Sequence, residues 1–180
     1  MSEIKQLIER NKAFAANYPG GLQLIPKFNT MILTCIDARI DPAHFLQLDL
    51  GDALVFRNAG GRVTSEIELE IGILWNMVQK MSEGKHPGFS LALIHHNDCG
   101  FERLANPQLA RMLSQNLGVE KEKIQSMSVA DHEAYVLADI KRLKDSELVP
   151  NGLTVSAHLY DVHSGILSEI AAPQKLAELA

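Results

Sequence analysis

Apolar residues recur along the chain with two periods. From Glu3 to Asn17, Ile4, Leu7, Ile8 and Phe14 fall at helical spacing, and Tyr18-Pro19-Gly20-Gly21 closes the stretch with a turn. This predicts an amphipathic helix whose apolar stripe packs on the body of the protein or on another subunit rather than on a membrane surface. Two short continuous apolar runs follow, Thr30 to Ile36 and Ala53 to Phe56, both of buried-strand length. Asp37 stops the first, and Arg57-Asn58-Ala59-Gly60-Gly61 stops the second. A third run, Phe89 to His95, ends in the same way, at His96-Asn97-Asp98-Cys99-Gly100.

Helical patterns separate and follow these runs. One begins at Thr64, with Ser65 as N-cap and Glu68 completing a capping box; it carries Ile67, Ile71, Leu74, Trp75 and Val78 inward and ends near Glu83-Gly84. Further helices are predicted from Asn106 to Leu117 and from Ala130 to Lys144, then a fourth strand from Leu153 to Tyr160 and a C-terminal helix from about Ile166. Strands separated by helices imply an α/β fold, a mostly parallel β-sheet flanked by helices. The expected organisation is a single domain with a helical arm over 1–29, a core over 30–165 and a C-terminal helix over 166–180. In sheets of this kind ligands bind outside the carboxyl ends of the strands, so the three polar stops should converge on one crevice.

Composition narrows the function classes. With 46% hydrophobic and 22% charged residues among 180, the chain is an ordinary folded domain, not a disordered one. A net charge of −5 without any dense run of Lys and Arg argues against nucleic acid as a partner. No stretch approaches the roughly 18 apolar residues of a membrane span, and the first residues do not form a signal-peptide pattern. Two cysteines are too few for a disulfide scaffold, so a reducing, cytoplasmic setting is expected.

The first and third strand ends carry the candidate chemistry. His96 and Cys99 are three residues apart, close enough to hold one ion from a single turn, with Cys35 supplied by the other strand end. Two Cys and one His make a catalytic zinc set that leaves a fourth position for water. Neighbouring side chains on an extended segment face opposite ways, so only one of His95 and His96 can reach the ion; the step to Cys99 selects His96 and leaves His95 as a packed residue. Asp37 lies two residues from Arg39, whose planar fork can grip a carboxylate through two hydrogen bonds. Asp37 can pair with Arg39 or take the fourth metal position itself, closing the site. The glycines of Ala59-Gly60-Gly61 let backbone approach a small ligand or simply make a turn. They match neither a Walker loop nor a dinucleotide fingerprint.

These motifs together resemble the beta-class carbonic anhydrases: Cys35-x-Asp37-x-Arg39, Gly51-Asp52 leading to Arg57-Asn58-Ala59-Gly60, His96-x-x-Cys99-Gly100, and the closing Tyr160-Asp161-Val162-His163-Ser164-Gly165. The likeness is to the small prokaryotic-type branch. It implies one zinc ion per chain on Cys35, His96 and Cys99, catalytic Asp37 and Arg39 paired in the active form, Asp37 as fourth ligand in a closed form, and a substrate pocket lined by the backbone of Ala59, Gly60 and Gly61. The implied reaction is reversible hydration of carbon dioxide to bicarbonate and a proton by zinc-bound hydroxide, in a homodimer or higher homo-oligomer whose N-terminal helix packs on the partner subunit. Alternatives with the same zinc set are hydrolysis of carbonyl sulfide or carbon disulfide, or a noncatalytic zinc-stabilised scaffold. The proton could leave through His44, His95 or buffer.

Overall fold

The computed structural model describes residues 2–179. Its elements, in chain order, are α1 (Glu3–Ala15), β1 (Thr30–Cys35), α2 (Pro42–Phe45), β2 (Leu54–Asn58), α3 (Ser65–Met81), β3 (Ser90–His96), α4 (Pro107–Leu117), α5 (Lys121–Gln125), α6 (His132–Asp145), β4 (Thr154–Tyr160) and β5 (Leu167–Lys175). Short 3-10 turns follow β2 and β3. The strands form one sheet in the order β2-β1-β3-β4-β5. The first three pairings are parallel and only β5 runs antiparallel, which is the mostly parallel α/β arrangement that the alternating pattern predicts.

The central strands are continuous apolar runs because they are buried on both faces. Met31, Leu33, Leu91, Leu93, Val155 and Ala157 meet Ile67, Ile71 and Val78 of α3 and Val136, Ile140 and Leu143 of α6 in one core cluster. Each such side chain contributes roughly 1.5–3 kcal/mol on leaving water. A two-pronged ion pair, Arg142 Nε and Nη2 to the carboxylate of Glu68, ties α6 to α3.

Two expectations need correction. The segment from Ile166 is not a helix: Leu167–Lys175 is the antiparallel edge strand β5, paired with β4 through a ladder with two irregularities. Those register shifts break the alternation that marks a strand, leaving apolar residues at spacings that imitate a helix. Pro173 marks the difference, since it would break a helix interior but is tolerated on an edge strand. The N-cap of α3 is Thr64 rather than Ser65, its hydroxyl accepting from Ile67 N at 3.4 Å. Glu68 is drawn away to Arg142 and completes no capping box.

The predicted N-terminal helix forms, but none of its residues is buried, and Ile4, Leu7, Ile8 and Phe14 stay exposed. A second uncovered stripe, Leu69, Ile73, Met77 and Met81, runs down α3 at four-residue spacing.

Gly72 shows how tightly α3 is seated. Inside a helix, alanine is normally worth about 1 kcal/mol more than glycine. Here a Cβ would stand 2.5 Å from the carbonyl oxygen of Leu148. Gly72→Ala is therefore expected to lower stability, by roughly 1–3 kcal/mol, and a urea midpoint that rises would show that α3 does not lie this close to Leu148.

Candidate metal centre

Because β1 and β3 are adjacent and parallel, their carboxyl ends lie side by side. Cys35 closes β1, His96 closes β3, and Cys99 follows one turn later. One donor atom from each of the three lies within 4.8 Å of the others, and all three residues are buried. The sulfurs stand 3.9 Å apart. Two thiolates at about 2.3 Å from a tetrahedral ion would be separated by about 3.8 Å, so the spacing fits zinc.

The histidine is oriented to match. Its Nδ1 donates to the carbonyl oxygen of Asn97 at 2.9 Å, which leaves the lone pair on Nε2. Nε2 is buried and makes no well-formed hydrogen bond. A buried imidazole nitrogen without a well-formed hydrogen bond, beside two sulfurs, has the donor chemistry of a metal ligand.

Cys99 is held as the N-cap of the following 3-10 turn. Its sulfur accepts from the turn's third N–H, and the side chain of that residue, Glu102, takes the N–H of Cys99 at 2.8 Å. Glu102 also meets His132 Nε2, on α6, at 2.9 Å. On the other side, peptide N–H groups of Asp37 and Gly60 point at Cys35. In the metal-free site the hydrogen bond from Cys99 brings the Cys35 thiol down to about 4, and the resulting thiolate pushes Cys99 upward.

Asp37 stands outside this donor group. Its Oδ1 accepts from the backbone N and Nε of Arg39 at 2.9 and 3.0 Å, and its Oδ2 from Nη2 at 2.8 Å. The guanidinium holds the Asp37 carboxyl down at about 2. Arg57 fixes the loop that carries the pair, donating to the carbonyls of Cys35, Asp37 and Ile40 at 3.1, 2.7 and 2.7 Å. The Ala59–Gly61 turn packs below: a Cβ on Gly61 would lie 2.9 Å from the Cys35 backbone nitrogen, and its φ of +68° favours glycine independently. Around the donors, Ile40 and Val129 are buried, and Phe45, Phe101, Tyr160 and Val162 pack against them.

Residues 30–167 match the sequence model of the family described as Carbonic anhydrase. The chain belongs to the beta-carbonic anhydrase family of enzymes. Beta-carbonic anhydrase 1 of Mycobacterium tuberculosis is 24% identical over 170 residues, covering 94% of this chain and 99% of the relative. A carbon disulfide hydrolase of Saccharolobus solfataricus is 26% identical over 172 residues, covering 82% and 79%. The crystal structure of a carbonic anhydrase from Streptococcus mutans superposes with a TM-score of 0.78 at 33% identity, covering 94% of this chain and 98% of that one.

The structure adds residues for which the sequence motifs assign no role: Arg57 as the loop clamp, Asp98 on Arg39, and Glu102 with His132 behind Cys99. Only Glu102 had a local signal, a glutamate three residues after the capping residue, disguised because that residue is Cys rather than Ser or Thr. His95 is not among the three donors; it stands edge-on to His132 with ring centroids 5.8 Å apart, and its nitrogens lack well-formed hydrogen bonds. Burial, reinforced by the charges of His132 and Arg62, pushes its imidazole down to about 3.

That depression has a direction for stability. The unfolded chain takes up a proton at His95 near 6.5 and the folded one only near 3, so stability is expected to fall as pH drops through that interval. In metal-free protein, His95→Phe should flatten the loss between about pH 7 and 4.5 by roughly 2 kcal/mol, read from urea midpoints. Equal slopes in the two proteins would contradict a neutral, buried His95.

Proposed function

We propose that this enzyme hydrates carbon dioxide reversibly to bicarbonate and a proton, with one zinc ion held by Cys35, His96 and Cys99. The observation that carries the reading is the donor trio, whose buried His96 Nε2 makes no well-formed hydrogen bond, beside a carboxylate already engaged by arginine. Zinc bound there supplies a Lewis acid, tempered by two thiolates, that brings the ionisation of water toward neutral pH.

The chain's own groups do the rest. Asp37 is a carboxylate throughout the working pH range and its position is set by Arg39, so it can accept a hydrogen bond from the attacking oxygen and aim the free lone pair at carbon. Phe45, Phe101, Tyr160 and Val162 give an apolar surround suited to a small uncharged substrate and poor in competing water. The Ala59–Gly61 turn presents backbone instead of side chains, the lining that a small linear molecule needs. The burial and low basicity of His95 speak against proton exit through it and favour exposed His44 on α2 or buffer.

We also propose a homodimer. The uncovered stripes of α1 and α3 are apolar and exposed, and a second copy of the chain would cover them. Among the described residues no helix is long and apolar enough to cross a membrane. Unpaired thiols 3.9 Å apart suit a reducing compartment, in keeping with a cytoplasmic enzyme.

The deciding experiment is stopped-flow hydration of carbon dioxide across about pH 6.5–9 on protein of measured zinc content, where a zinc enzyme's rate rises through an ionisation near neutrality. Asp37→Ala should keep its zinc and lose at least about a hundredfold in rate. Cys99→Ala should lose both metal and activity, and full activity without zinc would refute the scheme. Zinc without hydration at any pH would move the reading to the chemistry named for the Saccharolobus relative, tested with carbon disulfide. For assembly, sedimentation should give a dimer, and Leu7→Glu with Ile8→Glu should give a folded monomer; an unchanged dimer would remove α1 from the interface.

A further inference from the structure

Arg39 is held from two sides. Nε and Nη2 grip Asp37 Oδ1 and Oδ2 at 3.0 and 2.8 Å, while Nη1 meets Asp98 Oδ2 at 2.6 Å and Nη2 meets the Asp98 carbonyl at 2.7 Å. Asp37 follows Cys35 and Asp98 precedes Cys99, so one guanidinium bridges the two loops that carry the sulfurs. Its plane is fixed by acceptors on both edges, which no single carboxylate could achieve.

The backbone at Asp98 is specialised for this contact. Its φ is +52°, in the left-handed region that non-glycine side chains mostly avoid. Glycine would take that turn with less strain and asparagine about as readily, so the turn itself does not call for a carboxylate. What aspartate adds is an anionic oxygen aimed at Nη1, and the same turn brings its carbonyl to Nη2. Both Arg39 and Asp98 have side chains about half exposed, 47% and 49%, so the pair satisfies no buried group and adds little to global stability. Its effect is orientation.

We propose that Asp98 is a positioning residue that keeps Arg39 seated and thereby keeps the Asp37 carboxylate turned away from the metal donors. This rests on the zinc reading above, in which Asp37 is also able to take the fourth metal position. A long, half-exposed arginine without its outer anchor samples other rotamers, and each of them loosens the two-pronged hold on Asp37. Asp37 then shifts toward the cation. The opposing effect, in which losing Asp98 leaves the full arginine charge to Asp37, is screened by solvent at this exposure.

Cobalt-loaded protein tests this, because its visible spectrum distinguishes three protein ligands plus solvent from four protein ligands, and zinc release to a chelator provides a second readout. Asp98→Gly keeps the turn and its carbonyl contact to Nη2 but removes the carboxylate that holds Nη1; Asp98→Asn keeps turn and acceptor and removes only the charge. Asp98→Gly should move the balance toward the Asp37-ligated form by about 2- to 5-fold and slow zinc release by a similar factor, as expected of one half-exposed ion pair, with Asp98→Asn between it and wild type. In an Asp37→Ala background the same Gly substitution should change neither readout, which a merely structural role would not predict. Wild-type spectrum and release in Asp98→Gly, a shift that survives without Asp37, or a shift in the opposite direction would each overturn the proposal while leaving the zinc site standing. Wild-type protein that binds no metal at Cys35, His96 and Cys99 would overturn both.

Discussion

The site depends on β1 and β3 lying side by side and ending together. Their register pairs Thr34 with Ile94, and the buried Thr34 hydroxyl donates to the Ile94 carbonyl at 2.7 Å, a side-chain staple one residue before the first sulfur. A slip of one residue would turn Cys35, or His96, to the opposite face of the sheet and dissolve the donor group. The apolar core beneath, with Met31, Leu33, Leu91 and Leu93 fully buried, makes such a slip costly. Thus the same packing that stabilises the fold sets the distance between the donor groups.

Beyond the strand ends the chain must bend sharply while staying rigid. Left-handed backbone occurs at Gly60, Gly61 and Asp98, all next to the donors. Strained positions persist only where their surroundings over-determine them. Here the determinants are visible: the Cys35 backbone packs on Gly61, Arg57 collects three carbonyls, and Arg39 spans both loops. A cluster of long, exposed side chains would be a poor clamp in isolation, but each of these guanidiniums donates to several acceptors at once.

Much of this was legible in the sequence because it is local. A buried parallel strand announces itself as an apolar run, and the polar residue that stops it marks where a ligand can bind, so Cys35, Asp37, His96 and Cys99 could be picked out as one group. What could not be read depends on partners far along the chain. Glu68 stands three residues after a plausible capping serine, yet Arg142, 74 residues later, claims it. Asp98 reads as an ordinary turn residue until Arg39 is placed beside it, and His132 becomes part of the site's surroundings only when α6 packs against β3 and β4. The C-terminal segment looks helical in sequence for a related reason: its irregular pairing with β4 hides the two-residue period, and edge position, which the sequence does not state, is what permits Pro173.

The electrostatic arrangement explains why these partners matter. Two sulfurs 3.9 Å apart in an apolar pocket cannot both be anionic without a cation between them, whereas the Asp37 carboxylate is anionic regardless and has its own counter-charge in Arg39. The chain thus separates its negative charges into two sets. A metal bound by the two thiols would couple its loading to their deprotonation and to the order of both loops. The Asp37 carboxylate is compensated in advance, so it need not seek the metal. A site with the same donors but no Arg39 would leave Asp37 as the nearest uncompensated anion, and the cation would draw it in as a fourth ligand. On the proposed zinc reading, a free fourth position would be an outcome of charge pairing at the rim as much as of the donor set, and both arise from the same two strand ends that bring the sulfurs together.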